Sequence, residues 1–126
     1  MKPETQEWIE KAEGDLKVAR REMQTADPVY EAVCFHAQQC AEKYLKAVLE
    51  ERNIAFPKIH DLVALLNSCG SMLAGLNSLK PQLAHLSIFG IASRYPGVKA
   101  SQQAASDAVR IAEDVRIVAR AELGLP

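Results

Sequence analysis

Apolar residues recur at intervals of three and four along most of the chain, and no segment alternates with the period of two expected of a half-buried strand. From about Glu4 to Thr25 one stripe holds Trp8, Ala12, Leu16, Ala19 and Met23, which predicts a first helix, slightly weakened by Gly14. Asp27-Pro28 predicts a stop and restart. Asp27 can cap the next helix, and Pro28 suits its first turn, where a missing N–H is no loss. A second helix follows to about Arg52, with Val33, Ala37, Ala41, Tyr44 and Val48 on one face. Asn53 to Lys58 breaks it, because Pro57 disfavours helix at Phe56. Asp61, or a residue just before it, caps a short third helix that starts on Leu62-Val63-Ala64-Leu65-Leu66 and stops near Gly70. The stretch from Ser71 to Lys80 is ambiguous, with a helical turn as one reading. Pro81 opens a fourth helix with Leu83, Leu86 and Ile88 that frays near Ser93. Arg94-Tyr95-Pro96-Gly97 is a loop, and Ser101 caps a last helix carrying Ala104, Ala108, Ile111, Val115 and Ala119. The expected fold is all-α, an antiparallel four- to five-helix bundle with short connections, over residues 1–126 as a single domain.

The second helix is the informative one. On a helical wheel Val33, Ala37, Cys40, Ala41, Tyr44, Leu45, Ala47 and Val48 cover about half the circumference at roughly 100° per residue. A stripe that wide predicts a helix packed against several neighbours. The opposite arc holds His36, Gln38, Gln39, Glu42, Lys43 and Lys46, with Phe35 in its middle. Two readings stand. An aromatic ring among Gln, Lys and His suits a partner surface or a stacking platform for a base. Equally, the arc is packed against a second copy or simply solvated. Glu42 and Lys46 are spaced for an i,i+4 ion pair, which needs no ligand.

Composition narrows the classes. The 126 residues are 48% hydrophobic and carry 15 basic against 16 acidic side chains, a net charge of −1, so the chain is neither disordered nor a strongly basic nucleic-acid binder. The N-terminus has no apolar leader, and no run of about 18 uninterrupted apolar residues exists to span a membrane. Cys34, Cys40 and Cys69 make an odd count, which fits a reduced, cytoplasmic setting with no disulfides.

Candidate chemistry is sparse. His36 and Cys40 are four residues apart, but two ligands do not make the closed site of a structural metal, so no metal is expected, and no cofactor. Cys40 sits on the apolar side, where a small buried residue is the simpler account, and Cys34 and Cys69 read the same way. His60-Asp61 is either an acid/base pair or a cap at a helix boundary. His85 reads as structural. Phosphate-binding glycine motifs are missing. Arg94, on a short constrained loop, offers a planar donor fork suited to phosphate or, more simply, to a carboxylate. Tyr95 beside it offers a stacking face.

Three blocks, Phe35-His36-Ala37-Gln38-Gln39-Cys40-Ala41-Glu42-Lys43-Tyr44-Leu45-Lys46-Ala47, Lys58-Ile59-His60-Asp61-Leu62 and Ser93-Arg94-Tyr95-Pro96-Gly97, in this order, together resemble the HEPN family, the higher-eukaryote and prokaryote nucleotide-binding domain. The resemblance covers nearly the whole chain. It implies an antiparallel helical bundle, usually a homodimer. Prokaryotic members are often encoded beside a minimal nucleotidyltransferase in pairs that resemble toxin–antitoxin systems. Some members are metal-independent ribonucleases that use an Arg and a His with four to six residues between them. Here the nearest case is Arg52 and His60 with seven residues between, and Phe56-Pro57 interrupts the helix that would align them. The carry-over is therefore limited to His36, Gln39, Glu42, Lys43, Lys46, His60, Asp61, Arg94 and Tyr95.

Three functional expectations follow. The first is a dimeric module that binds a nucleotide or RNA beside a nucleotidyltransferase partner, with Lys43, Lys46 and Arg94 on phosphate, His36 and Gln39 lining the site, and Phe35 or Tyr95 against a base. The second is a ribonuclease toxin, with Arg52 or Arg94 stabilising charge and His60 moving the proton across a dimer. The third is an interaction protein with no ligand.

Overall fold

The computed structural model describes residues 1–126, the side chain of Arg94 excepted. Five α-helices follow one another, and no strand occurs among the described residues: α1 (Pro3–Met23), α2 (Tyr30–Glu51), α3 (Leu62–Cys69), α4 (Lys80–Ser87) and α5 (Gln102–Glu122). Tight 3-10 turns at Gly70–Leu79, Ile88–Gly90 and Ala92–Arg94 fill the run between α3 and α5.

The wide apolar stripe of α2 has the predicted consequence. It is the central helix, with every residue from Tyr44 to Leu49 buried. α1 packs antiparallel to it: Lys2 meets Glu51 at one end, and Glu22 meets the start of α2 at the other. α5 runs alongside α2 in the same direction, since Arg120 reaches Tyr44 and Arg52 reaches Glu122. The stripes read from the sequence line the core, including Leu16 and Ala19 from α1, Leu65 and Leu66 from α3, Leu83 from α4, and Ala108 and Val115 from α5, except that Ile88 lies past the end of α4 and is exposed. Cys34, Cys40 and Cys69 are buried free thiols.

Two expected caps are in place. Ser101 Oγ accepts from Ala104 N at 3.1 Å, and Asp61 Oδ1 accepts from Ala64 N at 3.1 Å. The expected Asp27 cap of α2 is not formed. The helix starts two residues past Pro28, Val29 is its N-cap, and Glu22 Oε2 at the end of α1 takes the Val29 N–H at 2.9 Å. A carboxylate from the preceding helix thus replaces the local one. At the other end of α2, Asn53 adopts φ 57°, a left-handed cap that Asn tolerates, and Ile54 N donates to Leu49 O at 2.9 Å.

The apolar run Leu62–Gly90 is long enough to pass a length-and-hydropathy test for a membrane span. It is not one continuous helix. Gly70 takes φ 59°, a left-handed turn that favours glycine, and Leu73 is kinked out of helical geometry at φ −118°. The pieces fold over α2 and α5 and supply Leu62, Leu73, Leu76 and Leu86 to the core.

Candidate ligand-binding face

The polar arc of α2 is not a uniform solvated strip. It divides between two neighbours, and each half is organised by one carboxylate. On the α1 side, Asp15 receives two side chains of α2: its Oδ1 lies 2.8 Å from His36 Nδ1, and its Oδ2 accepts from Lys43 Nζ at 2.5 Å. His36 and Lys43 share a stripe because they are seven residues, about two turns, apart. Phe35 meets the His36 ring edge-on, with centroids 5.2 Å apart.

On the other side the carboxylate belongs to α2 itself. Glu42 Oε1 lies 2.7 Å from His60 Nδ1, and Glu42 Oε2 accepts from Lys46 Nζ at 3.1 Å. The i,i+4 pair expected from spacing is therefore present, but it is buried: the Glu42 and Lys46 side chains are 4% and 8% exposed. The Gln38 amide donates from Nε2 to Glu42 Oε1 and to the His60 carbonyl, both at 3.2 Å, and accepts from Gln39 Nε2 at 2.7 Å. The Lys46 ammonium also lies over Trp8 at 5.5 Å and near Phe56 at 6.0 Å, a cation–π arrangement. The loop after α2 thus folds back over its own helix, with Phe56 and His60 as its two anchors.

Gly90 closes the lid over Gln38. A Cβ built there would lie 2.9 Å from Gln38 Cδ, so a larger residue would displace the amide that orients Glu42. The adjoining turn Ala92–Arg94 also packs against α2, and Tyr95 just beyond it is 62% exposed.

These contacts redistribute the candidates read from the sequence. His36, Gln39, Lys43, Lys46 and His60 are brought onto one side of α2, with Tyr95 on the segment beside it. The Lys43 ammonium is paired with Asp15 and the Lys46 ammonium with Glu42. Arg52 turns to the far end of α5, where its Nη2 donates to Glu122 Oε1 at 2.9 Å. No contact joins Arg52 to His60 among the described residues. The candidate role of the Arg94 side chain lies outside the described residues. Asp61 is the cap of α3.

Sequence reasoning missed Asp15, Gln38 and Glu13. Asp15 and Glu13 flank Ala12 and Leu16 in the buried stripe of α1, so acids beside that stripe were the available signal. Glu13 forms a separate cluster: Arg116 donates to both its oxygens at 2.7 and 3.0 Å, and the Tyr44 hydroxyl donates at 2.5 Å. The Arg116 guanidinium holds the Glu13 carboxyl below its ordinary range; burial opposes this and Tyr44 assists. Burial, with the Glu13 hydrogen bond behind it, pushes the Tyr44 hydroxyl up to about 12. This cluster ties α1, α2 and α5 together away from the two histidines.

The two imidazoles are what the arrangement leaves for chemistry. Each is fixed at Nδ1 by a carboxylate, and each ring is partly open to solvent, 30% at His36 and 43% at His60. No hydrogen bond reaches either Nε2 among the described residues, and no cluster of three metal-ligating side chains occurs among them.

The family model for the HEPN domain matches residues 5–121. The chain belongs to the HEPN domain family. No curated protein matches the sequence. Among solved structures, the HEPN chain is similar to TT1696 from Thermus thermophilus, at 21% identity over 94% of this chain and 97% of that one, with a TM-score of 0.79. It is also similar to ST0689, an archaeal HEPN homologue, at 26% identity over 96% and 98%, with a TM-score of 0.73. The expected family and the all-α bundle are therefore both found, and the blocks that suggested HEPN are the segments that assemble the histidine face.

Proposed function

We propose that this HEPN-domain protein is a binding module for a nucleotide or RNA, working as a homodimer beside a small nucleotidyltransferase in a toxin–antitoxin-like pair. The observation that carries the ligand reading is the pair of carboxylate-anchored imidazoles, His36 and His60, whose Nε2 edges carry no protein partner among the described residues. Anchored rings of this kind lose little freedom when a ligand binds. Tyr95, largely exposed on the adjoining segment, supplies a face on which a base can stack. Lys43 and Lys46 act behind the histidines, holding the carboxylates, rather than on the ligand.

The test is binding of a short fluorescent single-stranded RNA to the purified protein. His36→Ala and His60→Ala together should weaken binding at least tenfold, and Arg52→Ala should leave it unchanged. The salt dependence should be shallow, a slope of about −0.7 for each phosphate contacted. Binding that survives in the protein with both histidines replaced by alanine, which leaves no ring or amide N–H to donate, would remove the reading. An isolated monomer near 13.8 kDa in light scattering at micromolar concentration would remove the homodimer.

The ribonuclease reading keeps one supporting observation, the Glu42–His60 pair, since a carboxylate-oriented imidazole is the arrangement of a general base. Of its two candidate cations, Arg52 is engaged with Glu122, and the Arg94 side chain lies outside the described residues. Cleavage of RNA in the presence of chelator, lost in His60→Ala with folding intact, would put that reading first.

A further inference from the structure

We propose that the histidine face takes up a phosphodiester only together with a proton, gained at Nε2 of His60 and of His36. The inference rests on the binding reading above and adds which ligand chemistry the face selects.

An ionised carboxylate can only accept hydrogen bonds. Glu42 Oε1 and Asp15 Oδ1 lie 2.7 and 2.8 Å from the two Nδ1 atoms, so each Nδ1 must carry the hydrogen. A neutral imidazole has one N–H, and the other nitrogen is then a lone pair. In the neutral protein both Nε2 atoms are therefore acceptors. A phosphodiester oxygen is also only an acceptor, so the two repel unless a proton is placed between them.

The neighbouring charges do not remove this requirement. Facing His60 are Glu42, the Gln38 amide on the same oxygen, and Lys46 on the other oxygen. Lys46 is turned inward beneath Trp8 and Phe56. Along the chain lie the exposed Lys58 and Asp61, the latter occupied as the cap of α3. Facing His36 are Asp15 and, through its second oxygen, Lys43, with the Phe35 ring alongside. Both ammoniums are thus paired with the carboxylate oxygen that the histidine does not use. The balance is simple: one proton from solvent joins the Nε2 lone pair, and the new N–H donates to a phosphate oxygen. A hydroxyl donor, such as the 2′-OH of a nucleoside, suits the neutral ring and needs no proton.

The experiment is calorimetric titration with a dinucleoside monophosphate, whose diester has no titration of its own near neutrality. It is run at several pH values from 5.5 to 8.5, in buffer pairs of different ionisation enthalpy. The expected result is proton uptake approaching two per ligand, one at each ring, toward the alkaline end of the series, with affinity falling about a hundredfold per pH unit there. Glutamine offers a permanent N–H, so His36→Gln with His60→Gln should bind with no proton uptake and no pH dependence, with circular dichroism confirming the fold. Binding by the unaltered protein with no proton uptake overturns the inference and leaves the binding reading standing. Uptake that persists in the doubly substituted protein also overturns it. No binding at any pH overturns both.

Discussion

Lys43–Asp15–His36 and Lys46–Glu42–His60 use the same three chemical groups, with the carboxylate in the middle, yet they hold different things together. In the first, α2 supplies the cation and the ring, and α1 supplies the carboxylate. It is a tie between two helices already joined by a long packed seam. In the second, α2 supplies the carboxylate and the cation, and the loop before α3 supplies the ring. It holds an irregular segment whose other anchors are the apolar side chains of Ile54, Phe56 and Ile59. Burial follows the same division. The Asp15 carboxylate is 11% exposed, whereas Glu42 is sealed beneath Gln38, Gly90 and the loop. Identical chemistry therefore carries unequal weight: water can replace part of what Asp15 does, and cannot reach Glu42 to do the same.

The sharpest way to break the comparison is Glu42→Ala. It strands a buried ammonium at Lys46, leaves the His60 ring without its acceptor and takes one of two acceptors from Gln38, so unfolding in urea should show a loss of about 3–5 kcal/mol, typical of a buried pair deprived of one partner. A loss under about 1 kcal/mol would mean that the two triads are equivalent after all. Asp15→Ala should cost less, about 1–2 kcal/mol by the same measurement, because Lys43 can turn to solvent and His36 keeps its packing.

The smallest effect belongs to the third carboxylate. Glu13 has its folded pKa depressed below the ordinary 4.5, chiefly by Arg116. A depressed carboxylate stabilises the fold above its unfolded pKa and loses that contribution as pH falls through the folded value. Glu13→Gln should therefore cost roughly 1 kcal/mol at pH 7, a figure already reduced for its partial exposure, and the difference from the unaltered protein should shrink as pH falls below the ordinary 4.5 and disappear only below the depressed folded value. Melting curves at pH 7, 5, 4 and 3 check the sign. A difference that grows toward acid would show that Arg116 does not hold this carboxylate.

How much of this the sequence disclosed depends on how local each interaction is. The Ser101 and Asp61 caps, the Glu42–Lys46 pair and the stripes of the long helices all lie within four residues, and periodicity with cap chemistry finds them. Asp15–His36 and Glu42–His60 span 21 and 18 residues and depend on which segment folds over which face. A helical wheel of α2 shows Gln38, Glu42 and Lys46 as polar and stops there. It contains no statement that the loop through Phe56 and the turn at Gly90 will cover them. The α2 start failed for the opposite reason: Asp27 was locally suitable, but Glu22, seven residues upstream of Val29, reached the N–H. Arg52 and His60, neighbours on the sequence scale, are parted because the left-handed Asn53 ends α2 between them.

The three buried thiols make the protein its own gauge of local opening. Burial pushes Cys34 and Cys69 up to about 11 and Cys40 up to about 12, so almost no thiolate exists at neutral pH, and no reagent reaches the sulfur of a closed molecule. Any alkylation then counts the molecules that have swung open at that point of the chain. Cys34 reports the start of the central helix, Cys40 its middle, and Cys69 the short helix that ends on Gly70. Their relative rates, read by mass spectrometry without altering a residue, give an order of loosening. The short helix that follows the His60 loop is expected first and the middle of the central helix last.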